Sequence, residues 1–302
     1  MLLDFAQKEF IHEKKLEGLT ENSLKAYKEL FHVFNKYFFD VREVDDLEPR
    51  MIREFIVWCI EERKNAPSTV NTKIKLLRVF CKWLFEEGIT EENLARKLKY
   101  QREHDKPKIL DDKELDIVLK QIRREKRRKE NEFQARRNYA LMLTLAGSGL
   151  RISEALSLNW SHIDMKNQLI QIYDSKNGDL QSVPLTERLR QELTDWKGYQ
   201  NEYFYTKREA VFVTSRGSRL SRAGAQNIFK RIRKKLGLKS DFSPHTLRNF
   251  YIKNLLKKGA NLREVQLLAR HRKIDVTRKY VGYFSHELLE TLDEKDALKD
   301  LT

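Results

Sequence analysis

The chain has only two cysteines in 302 residues, Cys59 and Cys81. That excludes a disulfide framework, and two free thiols suit a reducing compartment, the cytoplasm. No Cys/His cluster has zinc-ligand spacing, so no metal is expected, and nothing in the sequence asks for a cofactor. No apolar run approaches the roughly 20 residues needed to span a bilayer, so no membrane partner is expected. The first ten residues already carry Asp4, Lys8 and Glu9 and do not read as a secretory signal. There is no internal repeat and no low-complexity segment. A length of 302 residues fits one large domain or two ordinary ones.

Positive charge, by contrast, is plentiful and unevenly placed. The net charge is +15. Residues 1–104 hold 19 basic and 19 acidic side chains, whereas 105–302 hold 41 and 26, so the whole excess lies in the second part. A polyanionic partner is the plain reading, because each phosphate neutralised releases a counterion. A basic surface that only keeps the protein soluble is the alternative.

Three amphipathic helices are expected in residues 1–100. Thr20 can cap a helix through Leu24, Tyr27, Leu30 and Phe31; a second carries Ile52, Phe55, Ile56, Cys59 and Ile60. The third starts near Ser68, carries Val70, Ile74, Leu77, Phe80, Cys81 and Leu84, and can end at Gly88. Residues 101–108 are polar and contain Pro107, which reads as a linker where the charge balance also changes. Beyond it, Asp111 or Asp112 can cap a helix, and the basic run 123–129 reads as a solvated helix end or loop. Gly147-Ser148-Gly149 reads as a turn. Residues 168–173 and 180–185 flank Asn177-Gly178 as a hairpin, with Pro184 at an edge or strand end and 211–213 as a third strand. From Ser221 onward the pattern is mostly helical. The expected fold is mainly α with a small antiparallel β-sheet, an α+β class.

Four segments could carry chemistry. Arg151 follows a glycine turn at a helix start and could aim its guanidinium at an anion, with Glu154 one turn on to orient it; an ordinary surface ion pair is the alternative. Ser243 and Pro244 can open a helix that puts His245 and Arg248 on one face near its positive end. Lys176 stands at the hairpin tip, where an ammonium can reach into a groove or stay solvated. Finally, His271 precedes Thr277-Arg278-Lys279-Tyr280, and a tyrosine hydroxyl can attack phosphorus once its proton is removed. There are 11 tyrosines, so any one of them is usually packing.

Taken in order, these segments resemble the tyrosine recombinase family, which includes phage integrases and the Xer recombinases. The matching features are residues 149–158 (GLRISEALSL), Lys176 before Val183-Pro184-Leu185, His245-Thr246-Leu247-Arg248, and His271 nine residues before Tyr280. Residues 255–268 and 68–88 resemble the family as well, so most of the chain is covered. Two departures stand out: Ala269-Arg270 replaces a leucine-glycine, and Asn249 replaces a histidine.

The resemblance implies a two-domain C-shaped clamp on double-stranded DNA. Residues 1–100 would be a helical, SAM-like core-binding domain and 109–302 the catalytic domain. Tyr280 would form a 3′-phosphotyrosine intermediate, with Tyr283 as its neighbouring competitor. Arg151 and Arg248 would hold the non-bridging oxygens, Lys176 would protonate the leaving oxygen, and His245 would assist proton removal from Tyr280. His271 would donate to the phosphate, and Glu154 would position its neighbours. A homo-tetramer on two DNA sites is implied, with Leu288, Leu289, Leu292, Leu298 and Leu301 packing into a neighbour or into their own domain; an accessory protein is left open as a further partner. Because the helical domain begins almost at Met1, an Xer-like role in chromosome or plasmid dimer resolution is expected, or integration of a mobile element. A type IB topoisomerase and a non-catalytic DNA-binding protein on the same fold are the alternatives.

Overall fold

Local capping sets most helix starts in the protein, seen in a computed structural model that describes residues 1–102, 107–173 and 180–281. The chain divides into two compact units, Met1–Asp105 and Lys106–Thr302. The first holds α1 (Leu3–Leu16), α2 (Glu21–Tyr37), α3 (Pro49–Glu61) and α4 (Pro67–Glu86). The Thr20 hydroxyl accepts from the Ser23 amide and opens α2. α3 and α4 begin with Pro49 and Pro67, where a missing N–H leaves no bond unmade. Phe10 of α1 is the hub of this core: its ring meets Tyr27, Phe80 and Trp83 edge-on at 4.9, 5.2 and 5.5 Å. Cys59 and Cys81 are free and buried, and burial pushes the Cys81 thiol up to about 12.

In the second unit, Asp111 rather than Asp112 caps α5 (Asp112–Glu125), accepting from the Lys113 amide at 3.0 Å. The basic run after it is not simply solvated. Arg123 donates to the Tyr139 hydroxyl at 2.6 Å, and Lys126 pairs with Glu192 at 3.0 Å while sitting 3.9 Å from the Tyr139 ring centre. α6 (Glu132–Ser148) is buried on most sides and packs against α5, α8 (Glu187–Phe204) and α10 (Pro244–Lys257).

The expected glycine turn is shorter than its sequence suggests. α6 runs on through Gly147 and Ser148, because the Ser148 hydroxyl is satisfied within the helix by the Thr144 carbonyl. Only Gly149 leaves the helix, at φ +60°, and a Cβ there would lie 2.3 Å from Cδ1 of Tyr251. Both the left-handed backbone and the close ring therefore require glycine.

After α7 (Ile152–Ser157) comes a three-stranded antiparallel sheet of β1 (Ile163–Asp164), β2 (Leu169–Tyr173) and β3 (Leu180–Pro184), in that order. Ile170 pairs with Val183, and Pro184 closes the ladder opposite Leu169. The third strand is thus β1, not residues 211–213. That segment makes isolated bridges beside it, Asn159 with Ala210 and Val213 with Arg219, and Val211, Phe212 and Val213 are almost wholly buried. Its apolar run signals burial rather than sheet pairing. α9 (Arg222–Leu236), α10, α11 (Leu262–Ala269) and α12 (Ile274–Arg278) complete the described residues. The protein is mainly helical with a small sheet, and among the described residues no helix is long and apolar enough to cross a membrane.

Candidate active site

The site is assembled from three chain segments that meet at the Gly149 turn. The first is the start of α7. Arg151 is its N-cap residue, and the Glu154 carboxylate folds back onto it. Oε2 accepts from the Arg151 amide at 2.7 Å, and Oε1 accepts from its Nη1 at 2.6 Å. The Arg151 side chain is nonetheless half exposed, so much of its donor fork faces solvent.

The second segment is the start of α10. Ser243 and Thr246 cap each other reciprocally, and Pro244 occupies the first turn. His245 is exposed on that turn. One turn on, Arg248 is buried and donates to the carbonyls of Gly149 and Ala269. Burial, then the neighbouring Arg151 and Arg270, lower its pKa to about 10, which leaves it charged at neutral pH.

The third segment links α11 to α12. His271 shares a hydrogen bond between Nδ1 and the Thr277 hydroxyl at 2.9 Å. Burial, then Arg248, Arg151 and Arg270, lower its pKa to about 4. The imidazole is therefore neutral at pH 7, and can donate from one ring nitrogen without adding charge. Tyr280, just past α12, is 5% exposed, and its hydroxyl donates to Oδ1 of Asn249 at 2.7 Å. Asn249 is itself fully buried and donates to the Lys108 carbonyl at 2.9 Å.

Arg151, Glu154, Arg248 and His271 are thus brought together, with Tyr280 against the residue that follows Arg248. His245 stands on the exposed first turn of the same helix. Lys176 and Tyr283 lie outside the described residues, as do the leucines from Leu288 to Leu301.

By sequence, Arg270 stands out only as a departure from the glycine of the resembling family. In the structure it is the C-cap of α11 with φ +54°, a region where a non-glycine residue carries backbone strain. Its side chain is 5% exposed and its Nη2 donates to Glu154 Oε2 at 2.8 Å. Burial by itself would raise the Glu154 carboxyl; Arg270, with the amide and guanidinium of Arg151, outweighs that and holds it below the usual carboxylate range. Two guanidiniums, Arg151 and Arg270, bond this one carboxylate and Arg248 is held close by at the Gly149 carbonyl, an excess of positive charge with room for an anion. Among the described residues, no group of three or more His, Cys, Asp or Glu side chains is placed to hold a metal ion.

Residues 108–286 match the phage integrase family, and residues 7–91 match the phage integrase N-terminal SAM-like domain. The chain belongs to the phage integrase family. Among its relatives, tyrosine recombinase XerC of Thermodesulfovibrio yellowstonii is 29% identical over 296 residues, covering 95% of this chain and 94% of that protein. Tyrosine recombinase XerD of Listeria monocytogenes is 30% identical over 288 residues, covering 90% and 92%. In fold, the Tn1549 transposon integrase in complex with transposon right end DNA gives a TM-score of 0.77 at 16% identity, covering 98% of this chain and 99% of that one. XerH bound to a palindromic difH substrate gives 0.74 at 20% identity, covering 92% and 81%.

Proposed function

We propose that this chain is an Xer-type site-specific recombinase that breaks and rejoins double-stranded DNA through Tyr280. The observation that carries the chemistry is the convergence of Arg151, Arg248 and His271 around the Gly149 turn, with the Glu154 carboxylate bonded to Arg151 and Arg270. A phosphodiester's negative charge grows on its non-bridging oxygens during transfer, and fixed donors aimed at them lower the barrier by about 3–4 kcal/mol each. The roles follow from that charge flow. The Tyr280 oxygen attacks phosphorus, its proton passing to His245, and a 3′-phosphotyrosine bond forms as the bond to the 5′ oxygen breaks. Lys176 gives that leaving oxygen its proton, so a 5′-hydroxyl departs. Arg151, Arg248 and His271 hold the non-bridging oxygens, and Glu154 orients Arg151. The bond energy stays in the phosphotyrosine, so a 5′-hydroxyl from another strand can reverse the step.

Residues 1–100 act as a core-binding domain, 101–108 as a linker and 109–302 as the catalytic domain, together clamping the duplex. Contacts are mainly to phosphates, which the basic excess of the second part supports. Four subunits on two sites carry out exchange, and the leucines from Leu288 to Leu301 join neighbours. Relatives named recombinases, alike over nine-tenths or more of both chains, favour this reading over DNA relaxation or passive binding. Mapping covalent cleavage on a library of DNA from the source genome tests it. One recurring sequence at the cut supports it; relaxation of plasmids with no preferred site contradicts it.

A further inference from the structure

Arg270 occupies a place that local backbone chemistry gives to glycine. Its φ of +54° is strained for any side chain, and its guanidinium is almost fully buried with Nε left without a hydrogen-bond partner. Exchange for glycine would relieve all three burdens: the strain, the desolvation and the orphan donor. An outlier of this kind, next to His271 and against Glu154, points to a task for the side chain.

The Glu154 carboxylate shows what that task is. Oε1 takes Nη1 of Arg151 at 2.6 Å, while Oε2 is shared between the Arg151 amide at 2.7 Å and Nη2 of Arg270 at 2.8 Å. A carboxylate with both oxygens free tends to bind an arginine with two parallel bonds. Here Arg270 and the Arg151 amide occupy the second oxygen, so Glu154 grips the Arg151 guanidinium at one nitrogen only. Arg270 also donates to the Gly149 carbonyl at 3.4 Å, the same oxygen that Arg248 uses. The loop that carries His271 is thereby tied to the turn that carries Arg151.

We infer that Arg270 is a positioning residue of the strand-cleavage site, which holds Glu154 so that Arg151 keeps its remaining donors for the scissile phosphate. The inference rests on the recombinase reading and adds to it a residue outside the set read from the sequence. Without Arg270, Glu154 turns both oxygens to Arg151, draws the guanidinium back and neutralises it.

The test is a mutant cycle on the full chain, using Arg270→Gly, Arg270→Lys, Glu154→Gln and the double variant E154Q/R270G. Covalent adduct formation on a nicked duplex is timed under single-turnover conditions, beside affinity for uncut duplex. R270G should cut roughly tenfold or more slowly, with duplex affinity nearly unchanged. In the E154Q background, adding R270G should cost little more, because Arg270 acts through Glu154. R270K keeps the charge without the fork, and should also cut several-fold more slowly than the parent.

A second readout separates positioning from simple packing. The charged groups acting on His271 are Arg248 from α10, Arg151 at the N-cap of α7, and Arg270 beside it. Its titration, followed by NMR, should move up in R270G, where a positive neighbour is lost, and stay low in R270K. Should R270G fail to fold, R270K carries the kinetic test. Cutting at the parent rate in R270G or R270K overturns the inference, as do losses that multiply in the double variant, or an unmoved His271 titration in R270G. If the parent protein itself forms no adduct on any duplex, it is the recombinase reading that fails; if the parent cuts and these variants cut equally well, only the role of Arg270 falls.

Discussion

The hydroxyl of Tyr280 donates to Oδ1 of Asn249 at 2.7 Å, inside the domain rather than at its surface. A nucleophile held this way has to exchange that bond before it can reach phosphorus. Asn249 is also tied to the Lys108 carbonyl, so the same side chain anchors the start of the second unit. Asn249→Ala removes both bonds and takes this acceptor from the buried Tyr280 hydroxyl, which should lower stability by about 1–3 kcal/mol. Urea unfolding should show that loss, while the initial rate of adduct formation rises up to about fivefold as a hydrogen bond worth about 1 kcal/mol no longer holds the tyrosine.

Gly149 is the joint on which the site turns. Its φ of +60° and the Tyr251 ring 2.3 Å from any added Cβ leave no room for alanine. Gly149→Ala should destabilise the protein by about 1–3 kcal/mol through backbone strain, plus the displacement of that ring. Because Arg151 lies two residues on and Arg248 bonds the Gly149 carbonyl, cleavage should fall as well. Thermal unfolding and single-turnover cutting at a temperature where the variant is folded check the two effects separately.

Parts of this site were legible in the sequence and parts were not, for a physical reason. Thr20 and Ser243 were readable as helix caps, and Asp111 as one of two candidates with Asp112, because a cap is made with an amide two or three residues away. The antiparallel pairing of β2 and β3 was readable from alternation and from Asn177-Gly178, which lies outside the described residues. Residues 211–213 misled, because a short apolar run marks burial equally well in a strand or in a coil. Arg270 was invisible as a participant, since its partners Glu154 and Gly149 are 116 and 121 residues away along the chain. A signal was present all the same: an arginine where the end of α11 calls for glycine, immediately before a histidine of the motif.

His271 gives a pH signature. Its pKa is lowered to about 4 in the folded protein by burial and three arginines, below the ordinary value of 6.5. A base depressed in this way binds its proton more readily in the unfolded chain. The associated stability is therefore fully present above about pH 6.5, declines as pH falls toward 4, and levels off below that. His271→Gln cannot titrate and should lack this portion of the pH dependence. Urea unfolding of both proteins at about pH 7.5, above that window, and about pH 5, within it, should show the parent losing more stability than the variant.

The proposed general acid is separable from the phosphate ligands. A 5′-hydroxyl needs a proton to leave, whereas a 5′-bridging thiolate does not. Lys176→Ala should cut ordinary DNA poorly and a 5′-bridging phosphorothioate at close to the parent rate. Arg151→Ala should not be rescued, because the non-bridging oxygens it serves are unchanged. Equal rescue of both variants, or of neither, would move the acid's role to His245 or His271.

The central claim, that Tyr280 is the nucleophile, is tested most directly by trapping the protein on a nicked duplex and locating the DNA-bound residue by mass spectrometry. The account predicts a 3′-phosphate on the Tyr280 peptide, no adduct in Tyr280→Phe despite near-normal DNA binding, and adducts retained in Tyr283→Phe. Adducts that survive in Tyr280→Phe and disappear in Tyr283→Phe would contradict it.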